Sequence, residues 1–94
     1  MKEEIEKFRK EIKEYDDRLL EMGFHIDETK ARKDWLCIEY KIKNEKYYIN
    51  AEICKDKRSN KVWANIMLSK PEEKFYGNIS LDEMLSILNT IFNK

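Results

Sequence analysis

Twelve apolar residues spaced by two between positions 36 and 68 constrain this chain more than any other feature. Leu36, Ile38, Tyr40 and Ile42 alternate with polar or mixed residues, as do Tyr47, Ile49, Ala51 and Ile53, and then Val62, Ala64, Ile66 and Leu68. Period-two alternation marks strands with one buried face. Three such runs predict three antiparallel strands whose apolar sets point the same way, because a one-residue slip would turn a whole set toward water. A tight turn at Asn44-Glu45 pairs 42 with 47, 40 with 49, 38 with 51 and 36 with 53. A turn at Lys57-Arg58 pairs 53 with 62, 51 with 64, 49 with 66 and 47 with 68. Neither turn carries Asn-Gly or Asp-Gly, so the turn types stay open.

The flanking segments switch to a helical period. Ile5, Phe8, Ile12, Tyr15, Leu19 and Met22 step by three and four and fall on one stripe, with charged residues on the other faces. Gly23 stands where a left-handed cap ends such a helix, and Phe24 where the cap folds an apolar residue back toward Leu19. At the other end, Ser80 reads as an N-cap with Glu83 completing a capping box, and Ile79 and Met84 occupy the staple positions. Leu81, Met84, Leu85, Leu88, Ile91 and Phe92 form the stripe of this second helix. Phe24 and Ile26 are candidates for a short fourth strand, and residues 70–78, with Pro71 and Gly77, read as a connecting loop. At 94 residues the chain has room for one domain, 1–94. The expected fold is α+β: a two-layer domain with an antiparallel three- or four-stranded sheet, packed on one face by an N-terminal and a C-terminal helix.

This arrangement leaves the other sheet face uncovered. Its expected rows are Trp35, Cys54 and Lys61; Cys37, Glu52 and Trp63; Glu39, Asn50 and Asn65; Lys41, Tyr48 and Met67. A solvated face should be mostly charged, whereas this one carries two Trp, a Tyr and a Met. Exposed apolar patches mark contact surfaces, and Trp is enriched among interface anchors. Trp35, Trp63, Tyr48 and Met67 are therefore the expected partner-binding residues.

The 19 basic and 19 acidic side chains cancel, which excludes a uniformly basic coat for nucleic acid and an acidic mimic of it. The cancellation is not local. Residues 1–34 carry net −2, residues 35–70 net +4 and residues 71–94 net −2. Lys30, Arg32 and Lys33 before the first strand, and Lys55, Lys57, Arg58 and Lys61 between the second and third, reach the same end of the sheet beside Trp35. Basic residues next to Trp can track a phosphate backbone and stack bases, so these seven form the alternative, nucleic-acid-binding site.

Chemistry is harder to find. His25 is the only histidine, which leaves few nucleophile–base pairs to assemble. The only glycines are Gly23 and Gly77, so there is no phosphate loop. Pairs such as Glu3 with Lys7 and Glu14 with Arg18 have helix-supporting spacing. Cys37 and Cys54 lie seventeen apart with no second pair, which is neither a disulfide framework nor a zinc spacing. In the inferred pairing they are diagonal neighbours. The expectations are thus a reduced, cytoplasmic protein with no catalytic residues, metal or cofactor. The Met-Lys-Glu-Glu start is unlike a signal peptide, and no apolar run reaches a membrane span.

The order helix, three strands, helix resembles that of the double-stranded RNA-binding domain, a family that grips phosphates with basic residues at the start of its second helix. Here that position reads Ser80-Leu81-Asp82-Glu83, which is acidic. In size and in Lys and Ile content the chain is similar to phage-encoded inhibitors of host defence and to bacterial immunity proteins. The leading expectation is a non-enzymatic protein-binding module, an inhibitor, adaptor or immunity-type protein, that occludes a surface with its outer sheet face. Its expected partner is another protein, a homodimer through the same face being compatible, with nucleic acid as the alternative and no membrane.

Overall fold

The computed structural model describes residues 2–93. The N-terminal amphipathic stretch forms α1 (Lys2–Glu11) and α2 (Lys13–Glu21), which meet at Ile12. Ile12 leaves helical geometry at φ −106° and ψ 24°. The stripe survives the break: Ile5, Phe8, Ile12 and Leu19 are buried on one side. At the end of α2, the Phe24 N–H donates to the Leu19 carbonyl and the Gly23 N–H to the Leu20 carbonyl, with Gly23 at φ +104°. That pair of bonds is the Schellman closure expected from Gly23 and Phe24.

Five strands follow as an antiparallel meander: β1 (His25–Ala31), β2 (Trp35–Lys43), β3 (Tyr48–Asp56), β4 (Val62–Lys70) and β5 (Lys74–Ile79), side by side in chain order. The chain closes with α3 (Leu81–Phe92), where Ser80 Oγ accepts from the Glu83 N–H at 3.1 Å. The α+β architecture with flanking helices is as expected, but the sheet has five strands instead of three or four. The short strand expected around Phe24 and Ile26 is β1, which begins at His25 just after the cap residue Phe24, and the loop expected over 70–78 contains β5. Both are edge strands. Each is held by one ladder and is exposed at most positions, so neither needs the clean alternation of a central strand. Both are also interrupted by a register shift, at Ile26/Glu28 and opposite Ala64/Ile66. Such bulges blunt an edge against further pairing. The two edge strands, β1 and β5, also separate the chain from the helix, three strands, helix order of the double-stranded RNA-binding domain.

The faces of β2, β3 and β4 are as the alternation requires. Ile38, Tyr40, Ile49, Ala51, Ile53, Ala64 and Ile66 are all completely buried, beneath Phe8, Leu19, Met84 and Leu88 of the helices. The pairing, however, is displaced. Ile42 faces Ile49, Tyr40 faces Ala51 and Ile38 faces Ile53; Ile53 faces Ala64, Ala51 faces Ile66 and Ile49 faces Leu68. Each hairpin is two residues out from the tight-turn expectation. The turns account for this. Asn44 Oδ1 accepts from the Lys46 and Tyr47 N–H groups, which makes the first loop four residues long. In the second, the Asp56 carboxylate accepts from the Arg58 N–H and the Ser59 hydroxyl, and Asn60 adopts φ +63°. Asn and Asp side chains that bond the chain ahead of them build these longer turns. A shift of two keeps every side chain on its face but changes its cross-strand neighbour.

Among the described residues one charged side chain is buried with the core. Asp16, 5% exposed, accepts from the Tyr40 hydroxyl at 2.6 Å and from Arg9 Nη2 at 2.9 Å. Tyr40 is thus an inward strand residue whose hydroxyl needs a partner, and Asp16 of α2 supplies it. Burial, then the hydrogen bond to Asp16, push the Tyr40 phenol above its ordinary range. Arg9 from α1 completes the network, so one carboxylate ties both helix segments to the sheet.

Candidate functional site

The outer face takes its layout from the displaced pairing. Its first row runs Lys30, Cys37, Cys54, Trp63; the second Glu28, Glu39, Glu52, Asn65; the third His25, Lys41, Asn50, Met67, Phe75. Trp35 lies beyond the first row, opposite Asp56. An open groove of about 800 Å³ lies over the first row, walled by Trp35 and Trp63, with Cys37 and Cys54 among its lining and Lys30, Arg58 and Lys61 around it. Trp35 is 37% exposed. The Arg32 guanidinium stacks over its ring, with 5.7 Å from Cζ to the centroid.

Cys37 and Cys54 are directly opposed, not diagonal, with Cα atoms 4.2 Å apart, and they form a disulfide. This corrects the expectation of a diagonal, reduced pair. The non-hydrogen-bonded positions of an antiparallel ladder bring Cα atoms to about 4.5 Å, so the sheet itself brings the sulfurs together. Although they belong to the outer face, they are only 7% and 2% exposed. Glu52 lies two residues before Cys54 on the same strand and face. Its Oε1 accepts from Asn65 Nδ2 at 2.9 Å. One oxygen of Glu52 and the two sulfurs all lie within 4.8 Å of one another.

The four expected partner-binding residues all belong to the outer strand face but divide between its ends. Trp35 and Trp63 form the groove. Tyr48 and Met67 lie beyond the glutamate row, Tyr48 flanked by Lys43 at 4.9 Å and Lys41 at 5.9 Å from its ring centroid. Met67 sits beside Phe75, and the two are 53% and 63% exposed. They line a smaller hollow of about 220 Å³ with Glu39, Asn50, Glu52 and Asn65. Phe75 was missed because its segment read as a loop. A Cβ on Gly77 would come 2.7 Å from Cε2 of the Phe75 ring, so only glycine there lets the ring lie back across the strand. In the same hollow, Asn50 Oδ1 is buried with no hydrogen-bond donor.

The seven basic residues also divide. The β1–β2 and β3–β4 turns do meet, through the Lys57 N–H donating to the Asp34 carbonyl. Lys55 and Lys57, however, turn to the helical side, where their ammonium groups pair with Glu11 at 2.8 Å and Glu4 at 2.6 Å. Lys55 has the parity of Ile53 and so belongs to the inner face. Arg58 pairs with Asp34 at 3.3 Å. Lys30, Arg58 and Lys61 remain beside the groove, with Arg32 over Trp35 and Lys33 exposed in the turn.

The glutamate row puts like charges on neighbouring strands. Burial, then the charges of Glu28, Asp27 and Glu52, raise the Glu39 carboxyl above its usual range, with Lys41 opposing. His25 opens β1 at the solvent, 3.9 Å from Asp27. Among the described residues no helix is long and apolar enough to cross a membrane. Compared with protein families, with curated proteins and with solved structures, the chain shows no significant match.

Proposed function

We propose that the protein is a small, non-enzymatic protein-binding module that acts by surface occlusion through its outer sheet face. An inhibitor, adaptor or immunity-type role fits this reading, as does a phage or mobile-element source. The observation that carries it is the pair of tryptophans walling an open groove, with Met67 and Phe75 exposed on the same face. Exposed apolar surface of this kind marks contact sites. The charges lining the groove balance, Lys30, Arg58 and Lys61 against Asp34, Glu52 and Asp56, so apolar contact and not net charge would select the partner. Trp63 would be the central anchor, Trp35 its neighbour, and Tyr48, Met67 and Phe75 the outlying contacts.

The test is capture from the native source with wild type and Trp63→Ala side by side. A species retained by the wild type and lost by the variant, with unchanged far-ultraviolet circular dichroism, supports the proposal. Equal retention by both contradicts it. A second copy as the partner would show as concentration-dependent sedimentation that Trp63→Ala abolishes.

The nucleic-acid reading keeps one supporting observation, the three cations Lys30, Arg58 and Lys61 beside two stackable rings. Three phosphate contacts to a single strand predict affinity falling about 20-fold between 50 and 200 mM salt. No gel shift at low salt would remove this alternative.

A further inference from the structure

We propose that, once reduced, Cys37, Cys54 and Glu52 form a binding site for one thiophilic divalent cation, zinc in the first instance, at the floor of the outer-face groove. Zinc spacing in sequence assumes ligands a few residues apart. Here the ladder supplies the convergence, by placing Cys37 directly opposite Cys54 with Glu52 on the same face. The three ligand atoms already lie within 4.8 Å of one another. Tetrahedral zinc, with Zn–S about 2.3 Å and Zn–O about 2.0 Å, needs ligand atoms about 3.5–3.8 Å apart. The two sulfurs, bonded to each other in the disulfide, would have to part to that spacing once reduced, and the Glu52 carboxylate to draw in from within 4.8 Å, both by rotation of side chains on the paired strands.

The surroundings suit the ion. The sulfurs are nearly buried, which strengthens their interaction with a cation, and the Asn65 amide holds one Glu52 oxygen in place. A ligating carboxylate is usually oriented by such a second hydrogen bond. Two thiolates, one carboxylate and a divalent ion sum to −1, and Lys30, the cross-strand neighbour of Cys37, together with Lys61, lies beside that charge. Cys37, Cys54 and Glu52 all line the open groove, so water would have access to complete the coordination. Sulfur donors exclude magnesium and calcium, which take oxygen ligands.

The chemistry balances with a dithiol as reductant. The Cys37–Cys54 bond accepts two electrons and two protons, and the dithiol closes to its own disulfide. The incoming cation then displaces the two thiol protons. In a reducing compartment the open dithiol is the ordinary state of such a pair.

The test is titration of the reduced, desalted chain with cobalt(II), followed by zinc(II), without oxygen. One equivalent of cobalt is expected to give a thiolate-to-cobalt charge-transfer band, bleached by zinc. Cys54→Ser should abolish the band, and Glu52→Gln should weaken binding by about tenfold or more. The disulfide form should give no band. Circular dichroism of the reduced wild type, recorded in the same series, should be that of a folded chain. Absence of the band, unchanged affinity in Glu52→Gln, or loss of the fold on reduction would each overturn the proposal. The readout needs no partner, so it stands or falls separately from the docking surface.

Discussion

The two faces of this sheet come from the same alternating strands and meet opposite fates. On the inner face Ile38, Ile49, Ile53 and Ile66 are sealed by the chain's own helices. On the outer face Trp35, Met67 and Phe75 are of comparable apolar character, yet each stays more than a third exposed. Apolar side chains therefore support the fold only where something of the same chain covers them. Where nothing does, they remain at the solvent, and the proposed docking surface is built from them. Substitution of a covered apolar side chain should be read in stability, and under the proposed function substitution of an exposed one in binding.

The largest effect should come from the covered side. Ile53→Ala empties a fully buried site and is expected to cost about 3 kcal/mol, which lowers the melting temperature of a domain this size by roughly 15 °C. A loss below 1 kcal/mol would mean that the inner face collapses around the gap. Close behind is the Cys37–Cys54 link on the outer face. Replacing Cys37 and Cys54 together by Ala opens a crosslink of sequence separation 17, worth about 3 kcal/mol by chain entropy. Urea denaturation of the double variant measures it. A typical domain holds about 5–15 kcal/mol, so the reduced protein should remain folded.

Next is Asp16→Ala, which leaves the buried Tyr40 hydroxyl without its acceptor, at a cost of about 2 kcal/mol. Adding Tyr40→Phe should recover part of that loss, and no recovery would show that Asp16 acts through Arg9 alone. Ser80→Ala should cost about 1 kcal/mol through the cap of α3. The smallest effect has the opposite sign. Glu39→Gln relieves the glutamate row and should stabilise by about 0.5 kcal/mol at neutral pH. The Glu39 carboxyl is raised in the folded state. The wild type therefore loses stability as pH rises through the ordinary carboxylate range toward the raised value, and the penalty is complete above it. The advantage of the variant should accordingly vanish in acid, as thermal melts at pH 3 and pH 7 would show.

Much of the inner architecture was legible because burial writes itself into spacing. The stripe from Ile5 to Met22, the cap at Gly23 and the alternation from Leu36 to Leu68 each carry one signal with one meaning. Face was legible for the same reason, since only even slips keep Ile38 or Ile53 inside. Register was not, because the choice between two-residue and longer loops lies in the Asn44 and Asp56 side chains, and both loop lengths satisfy the same alternation. That shift of two decided the outer face. It moved Cys37 from a diagonal to a direct neighbour of Cys54, whereas Lys55 faces the helices in either register because it shares the parity of Ile53. Phe75 and β5 were hidden because an edge strand can exist with few apolar residues. The buried Asp16 looked like its charged neighbours, and only the inward Tyr40 hydroxyl signalled that a partner was needed.

Thermal denaturation of Trp63→Ala beside Ile53→Ala tests the division between the faces most directly. If the outer face supports contacts and not the fold, Trp63→Ala should melt with less than half the stability loss of Ile53→Ala, despite removing the larger side chain. A loss equal to or greater than that of Ile53→Ala would place Trp63 in the core and contradict the account.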